Sequence, residues 1–155
     1  MNAPAPTPAV IHEPAFVRRF EMADLNTHGG WLLKRLQQAF PEMTETYVAG
    51  WLRGLLYSNE HLFLYQDNAV ALAQTVSAPG IKSYKLIQEQ FVWVEDKADK
   101  QQLEDAADFY IHFQVWAQRQ GVERMIVMEN SDVPKAKVEE RLGRLFDTKV
   151  THARV

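Results

Sequence analysis

The chain has 155 residues, a length that predicts about one domain. Apolar residues make up 46% and charged residues 24%, and the net charge of -3 lacks the basic excess of a dedicated nucleic-acid-binding protein. There is no cysteine, which excludes disulfide frameworks, thiolate zinc sites, iron–sulfur clusters and cysteine nucleophiles. No run approaches about 18 apolar residues, so we expect no membrane span and, with no cysteine, a cytoplasmic protein.

The first 14 residues differ in composition from the rest of the chain. They hold four of the seven prolines and lack the basic start and long apolar run of a signal peptide. We therefore predict a flexible tail over 1–14 and one domain over 15–155.

The first elements of the domain read as a strand and two helices. Residues 15–22 alternate in the manner of a short strand. Apolar residues then recur at helical spacing from Trp31, after the break at Gly29-Gly30, and Pro41 ends that helix. Thr44 can cap the second helix.

The rest of the domain alternates strands and helices. Two apolar runs around Asp67-Asn68 indicate a hairpin, and residues 84–94 form a long strand with apolar residues on both faces, which is typical of a mid-sheet position. Three elements complete the chain: a helix over 100–120 closed by Gly121, a short buried strand over 124–129, and a helix that opens at Pro134 and precedes strand-like residues.

The order of elements predicts the fold class. The strand, helix and strand over 84–129 imply a parallel pair with a right-handed crossover, whereas the hairpin before them implies antiparallel pairing. We predict an α/β fold with a mixed, mostly antiparallel central sheet, one parallel β-α-β unit, and helices on both faces.

Several chemistries lack their motifs. The five histidines include no i,i+4 pair on one predicted helix, so we predict no metal site. The sequence has no G-x-S-x-G nucleophile elbow, no Walker A motif and no G-x-G-x-x-G.

The element order resembles the GNAT (GCN5-related N-acetyltransferase) superfamily over about residues 15–155. In that family the central strand is followed by Q/R-x-x-G-x-G/A, whose backbone N–H groups bind the pyrophosphate of acetyl-CoA. The corresponding stretch here is QQLEDA, in which Gln101 and Ala106 match but Glu104 replaces the glycine. The stretch VEERLGRLF is similar to the family's final helix, with Glu139 where a tyrosine acid often stands. The opening FVRRFEMAD and the ending EERLGR also resemble GNAT-like proteins encoded by tailed phages.

The resemblance implies transfer of an acetyl group from acetyl-CoA to the amine of a small molecule or protein. It implies that these residues bind the cofactor: Phe91, Val92, Trp93 and Val94 on the central strand, Lys100, Gln101, Gln102 and Ala106 at the helix start, and Asn130 after the next strand. Glu89 lies in the polar stretch QEQ of the central strand and is the implied general base. The alternative interpretation of this stretch is a strand end or a solvent-facing segment with no catalytic role. Tyr110 and Tyr84 are candidate replacement acids.

The acidic helix start leaves a second function open. No glycine occurs between Ile81 and Gln120, and residues 95–108 contain six acids and two bases, a local charge of 2 − 6 = -4. These acids match the helix dipole but oppose a pyrophosphate. The alternative is a catalytically inactive GNAT-like binding protein, for example a phage factor that binds and inhibits or redirects a host protein. Trp31 and Trp51 could then line a partner surface, and a homodimer is compatible with both functions.

Overall fold

The computed structural model describes residues 17–77, 85–122, 124–127 and 131–142, together with the backbone of 149–152. The predicted tail over 1–14, Tyr84 and Asn130 lie outside the described residues. The elements in chain order are β1 (Arg18–Arg19), α1 (Met22–Ala39), α2 (Glu45–Leu55), β2 (His61–Gln66), β3 (Ala69–Ser77), β4 (Lys85–Val94), α3 (Lys100–Asp105), α4 (Asp108–Arg119), β5 (Arg124–Val127), α5 (Lys135–Leu142) and β6 (Lys149–His152).

The six described strands form one sheet whose spatial order is the sequence order, β1 to β6. The first three neighbouring pairs are antiparallel, and β4–β5 and β5–β6 are parallel. The predicted mixed, mostly antiparallel sheet with a parallel β-α-β unit is confirmed, and the second parallel pair adds to it. The hairpin between β2 and β3 turns at Asp67 and Asn68, both with positive φ (40° and 64°), as a two-residue hairpin turn requires.

Each face of the sheet carries its own apolar core. On one face, α1 and α2 bury a cluster that includes Leu32, Leu52 and the sheet residues Phe91 and Trp93. On the other face, α4 and α5 bury a larger cluster that includes Phe109 and Val92. Helices on both faces are therefore confirmed. No helix among the described residues is long and apolar enough to span a membrane.

A β-bulge in β4 changes which side chains of the strand face each of the two cores. Leu72 of β3 pairs with Phe91, whereas the next residue, Ala73, pairs with Glu89, so Gln90 is the extra residue. After the bulge the alternation of side chains restarts. Glu89 consequently shares the α4 face with Val92 rather than with Phe91.

The start of α1 contradicts the sequence prediction. The helix begins at Met22 and runs through Gly29 and Gly30, so the prediction of a helix starting after the glycine pair was wrong. Asp24 caps the earlier start, because its carboxylate accepts the Glu21 N–H at 2.7 Å. Two helical glycines cost about 1 kcal/mol each, and burial of one face of α1 outweighs that cost.

Two other predicted boundaries also need correction. The predicted strand over 15–22 contributes only Arg18–Arg19 to the sheet within the described part of the chain. The predicted helix over 100–120 is interrupted at the buried pair Ala106 and Ala107. There the N–H groups of Ala107, Phe109 and Tyr110 bond three residues back and tighten the turn. Gly121, at φ 67°, ends α4 as predicted.

Candidate functional site

The two residues predicted to be catalytic lie together in the core beneath α4. Glu89 on β4 is 1% exposed and Tyr110 on α4 is fully buried. The buried Tyr110 hydroxyl forms no hydrogen bond of normal geometry with the described residues. The Glu89 carboxylate and Ser131, which follows β5, are groups near enough to shift its pKa. Burial raises the pKa of Tyr110 strongly, the Glu89 carboxylate raises it further, and Ser131 offsets part of the shift. The phenol therefore stays protonated and can act as a hydrogen-bond donor.

The pairing of β4 with its parallel neighbour is short. The two strands pair at Ile87–Met125 and Gln88–Ile126. Further along β4, the neighbouring residue is Ser131, which forms an isolated parallel bridge with Val92. Glu89 lies between these two contacts.

Asp132 occupies the edge of β4 where the resemblance implies a pantetheine arm. Its backbone N–H donates to the Val92 carbonyl at 3.0 Å, and its carboxylate accepts the Val94 N–H at 2.8 Å. This donor and acceptor are the groups that an amide in an extended ligand would supply. Asp132 therefore takes the place of such a ligand on β4.

Arg35 of α1 holds Asp132 in this position. Its guanidinium forms a bidentate pair with the Asp132 carboxylate and lies 4.8 Å from the centre of the Trp93 ring. The two side chains are 30% and 26% exposed, because they form one wall of a cavity of about 740 Å³ at the end of β4. We call it the β4 cavity; it is also lined by Trp31, Lys34, Gln38, Glu95, Asp96, Lys97 and Leu103.

The start of α3 is closed by its own side chains. The Asp99 carboxylate accepts the Gln102 N–H at 2.8 Å, and the Gln102 side chain accepts the Asp99 N–H at 3.0 Å, which is a reciprocal capping box. The Leu103 N–H donates to the Asp99 carbonyl, and the Ala106 N–H donates to the Gln102 carbonyl, both at 3.1 Å. Several amides that the resemblance assigns to pyrophosphate binding are thus already bonded within the chain.

These contacts test whether the site fits coenzyme A. The β4 edge is paired with Asp132, the α3 start is capped by Asp99, and Glu104 adds a carboxylate where a glycine would leave room. In this arrangement the described residues do not fit the coenzyme.

The other predicted cofactor residues are spread over several environments. Phe91 and Trp93 stack at 4.0 Å between ring centres on the α1–α2 face, whereas Val92 and Val94 point into the opposite core. Lys100 and Gln101 are exposed on α3, and Ala106 is fully buried. Their cofactor role stays a prediction.

An uncharged groove opens on the α1–α2 face. It has a volume of about 220 Å³ and lies above the β4 bulge, between the end of α1 and α2. Four of its apolar side chains are substantially exposed: Phe40 (47%), Met43 (39%), Tyr47 (59%) and Trp51 (37%). We call this surface the α1–α2 groove. Trp51 lines this groove and Trp31 lines the β4 cavity, and a role for either in a partner surface stays a prediction.

Sequence reasoning missed Arg35 and Asp132. They are 97 positions apart, and no local pattern links them. The capping role of Asp99 did have a signal, because an acidic residue followed three positions later by glutamine is a helix-start pattern.

No protein-family model matches the sequence, and no curated protein sequence is significantly similar to it. Three of the solved structures that the chain is similar to are acetyltransferases. The aminoglycoside 6'-N-acetyltransferase of Acinetobacter haemolyticus is 18% identical at a TM-score of 0.54, over 87% of this chain and 94% of that chain. An acetyltransferase of Vibrio fischeri is 12% identical at a TM-score of 0.54, over 76% and 97%. An aminoglycoside N-acetyltransferase, AAC(6')-Iy, solved in complex with CoA, is 16% identical at 0.51, over 90% and 93%.

The chain therefore has the GNAT fold, and the sequence prediction of that fold is confirmed. At these identities the likeness concerns the fold, and function has to be argued from the site.

Proposed function

We propose that the chain is a GNAT-fold binding protein that works without acetyl-CoA. The observation that carries the proposal is Asp132, which satisfies the Val92 carbonyl and the Val94 N–H from within the chain. A thioester arm on the same edge would have to displace this residue and break its pair with Arg35. A pyrophosphate at the start of α3 would then lie beside the carboxylates of Asp99 and Glu104, and these like charges would repel it.

The partner in this proposal is a protein that inserts an apolar side chain into the α1–α2 groove. Exposed aromatic residues that cluster around a pocket are typical of energetically dominant contacts, and the described lining of this groove includes no charged side chain. The resemblance to phage-encoded proteins makes a host protein the expected class of partner.

The absence of cofactor use is tested by titrating the protein with acetyl-CoA. We expect no saturable heat in calorimetry and no rise in melting temperature at millimolar acetyl-CoA. A ligand present at about 100 times its Kd stabilises the native state by about 2.7 kcal/mol, so even modest affinity is detectable. Saturable binding in either assay would refute the proposal.

The partner surface is tested with a photo-crosslinker at Met43. We expect it to capture one defined host protein, and we expect Trp51→Ala to abolish capture while leaving the melting transition intact. The matched control places the same crosslinker at the exposed Lys97, outside the groove. Equal capture from both positions, or capture that ignores Trp51→Ala, would contradict the assignment of this surface.

The second candidate is acyl transfer to an amine, and the buried pair of Glu89 and Tyr110 favours it. A carboxylate beside a protonated phenol is a set suited to accepting a proton from an amine and donating a hydrogen bond. In that function Asp132 would first have to leave β4, and Glu89 would need access to the amine. Two results together would support this candidate over the first. The unchanged protein would bind acetyl-CoA saturably, and Glu89→Gln would abolish turnover while binding acetyl-CoA as before.

A further inference from the structure

A second polar cavity lies on the other side of α3 from the β4 cavity. It separates the tip of the β2–β3 hairpin from α3 and has a volume of about 490 Å³. Its lining consists of Tyr65, Gln66, Asp67, Gln102 and Asp105, none of which lines the β4 cavity. We call it the hairpin cavity.

Gln66 is the unusual residue of this cavity. It ends β2 on the same face as Leu62 and Leu64, so its side chain turns inward towards the α4 core, and the residue is 5% exposed. Its side-chain oxygen Oε1 is buried and has no hydrogen-bond partner among the residues that the structure describes. A buried acceptor left unpaired destabilises the folded chain, so its retention calls for a donor that completes it.

The charges around Gln66 indicate the chemistry of that donor. Asp67 and Asp105 carry two carboxylates into the lining, and its described residues include no cationic side chain. Asp105 accepts a neutral amide hydrogen from Gln101 at 2.8 Å, and within the described part of the chain it forms no ion pair. The neighbouring cation Arg18 stacks over Tyr65 but is paired with Asp24.

We propose that the hairpin cavity binds the primary ammonium group of a small aliphatic amine. An ammonium group has three donors and no acceptor, which matches one buried amide oxygen and two carboxylates. The volume suits a small organic ligand rather than a bare ion. The described residues also contain no cluster of three or more histidine and acidic side chains that could hold a metal. Asp105, at the end of α3, therefore has a role as a ligand group, and this proposal does not depend on the proposed function.

The test is a calorimetric titration of the full chain with putrescine at low salt, beside 1,4-butanediol, its neutral counterpart. We expect saturable binding of putrescine that weakens with added salt, and none of the diol. Gln66→Met, which keeps the shape and removes the acceptor, should weaken binding by about tenfold or more, since a hydrogen bond to a charged group is worth about 1.5–3 kcal/mol.

Charge variants complete the experiment. The double variant Asp67→Asn with Asp105→Asn should weaken putrescine binding at least as much as Gln66→Met. Glu42→Gln, which removes one exposed acid from the turn after α1, is the matched control and should bind like the unchanged protein. Because Gln66→Met removes an unpaired polar group, we expect it to stay folded, and its melting transition checks this.

Three results would overturn the proposal. The first is no saturable putrescine binding, and the second is binding that the cavity variants weaken no more than Glu42→Gln does. The third is a divalent cation that binds more tightly than putrescine and is lost in the same variants, which would assign the site to a metal instead.

Discussion

Replacing Asp132 tests whether this residue closes the β4 edge. In Asp132→Ala the chain loses the pair with Arg35 and the acceptor for the Val94 N–H. The paired side chains are about a quarter exposed, so the ion pair is worth about 0.5–1 kcal/mol. An N–H left without its acceptor costs about 1–2 kcal/mol more.

The expected loss is therefore about 2 kcal/mol in the free energy of unfolding, or about 4–8 °C in melting temperature for a chain of this size. Asp132→Asn keeps an oxygen that can accept the Val94 N–H and loses the charge, so we expect it to cost about 1 kcal/mol. The assay is urea unfolding followed by circular dichroism. Asp96→Ala, an exposed acid that lines the same cavity, is the control and should stay within about 0.5 kcal/mol of the unchanged protein.

The reasoning fails if Asp132→Ala costs no more than Asp96→Ala. It also fails in part if Asp132→Asn and Asp132→Ala are equal, because the bond to the Val94 N–H would then contribute nothing measurable.

Two further predictions concern the pH dependence and the backbone. Hydrogen bonds from Arg18 are the main reason that the pKa of Asp24 lies below its usual 3.8, so its contribution to stability is complete above that pH and is lost as the pH falls through the lowered value. At neutral pH the free energy of unfolding of Asp24→Asn should accordingly be about 1 kcal/mol lower than that of the unchanged protein. This difference in stability should disappear in acid, and a difference that is constant with pH would contradict the prediction. Gly121→Ala should destabilise by about 1 kcal/mol because its φ is 67°, whereas Gly50→Ala, in the exposed middle of α2, should stabilise by about 0.5–1 kcal/mol. Neither added Cβ would meet an atom within 4 Å, so steric clashes do not enter the comparison. If both substitutions change the melting temperature in the same direction, backbone conformation is not the cause of the two effects.

The sequence predicted the elements that depend on local patterns. The hairpin at Asp67-Asn68, the long strand β4 and the end of α4 at Gly121 follow from turn chemistry and side-chain periodicity, and all three are present. The start of α1 was mispredicted because the capping carboxylate of Asp24 and the buried face beyond it outweigh two glycines.

The candidate site was less predictable than the fold. The resemblance named Glu89 and Tyr110 as separate candidates, and the packing of α4 on β4 in the folded chain brings them together. The pair between Arg35 and Asp132 joins α1 to the segment after β5, and only the folded chain shows that both reach the end of β4. The unpaired oxygen of Gln66 could not be predicted from the sequence either. The alternation along β2 predicts which face of the sheet a side chain lies on, but not whether its polar atoms find hydrogen-bond partners.

The bulge at Gln90 makes β4 one residue longer than regular pairing with β3 needs. The partners Ala73 and Leu72 are consecutive whereas Glu89 and Phe91 are two positions apart, so deleting Gln90 would leave a regular strand with the rings of Phe91 and Trp93 still on the α1–α2 face. Deletion of Gln90 should therefore be tolerated better than insertion of one further residue, which the strand could keep in phase only with a second bulge. A related chain with a regular β4 would align with this one across a one-residue gap at Gln90.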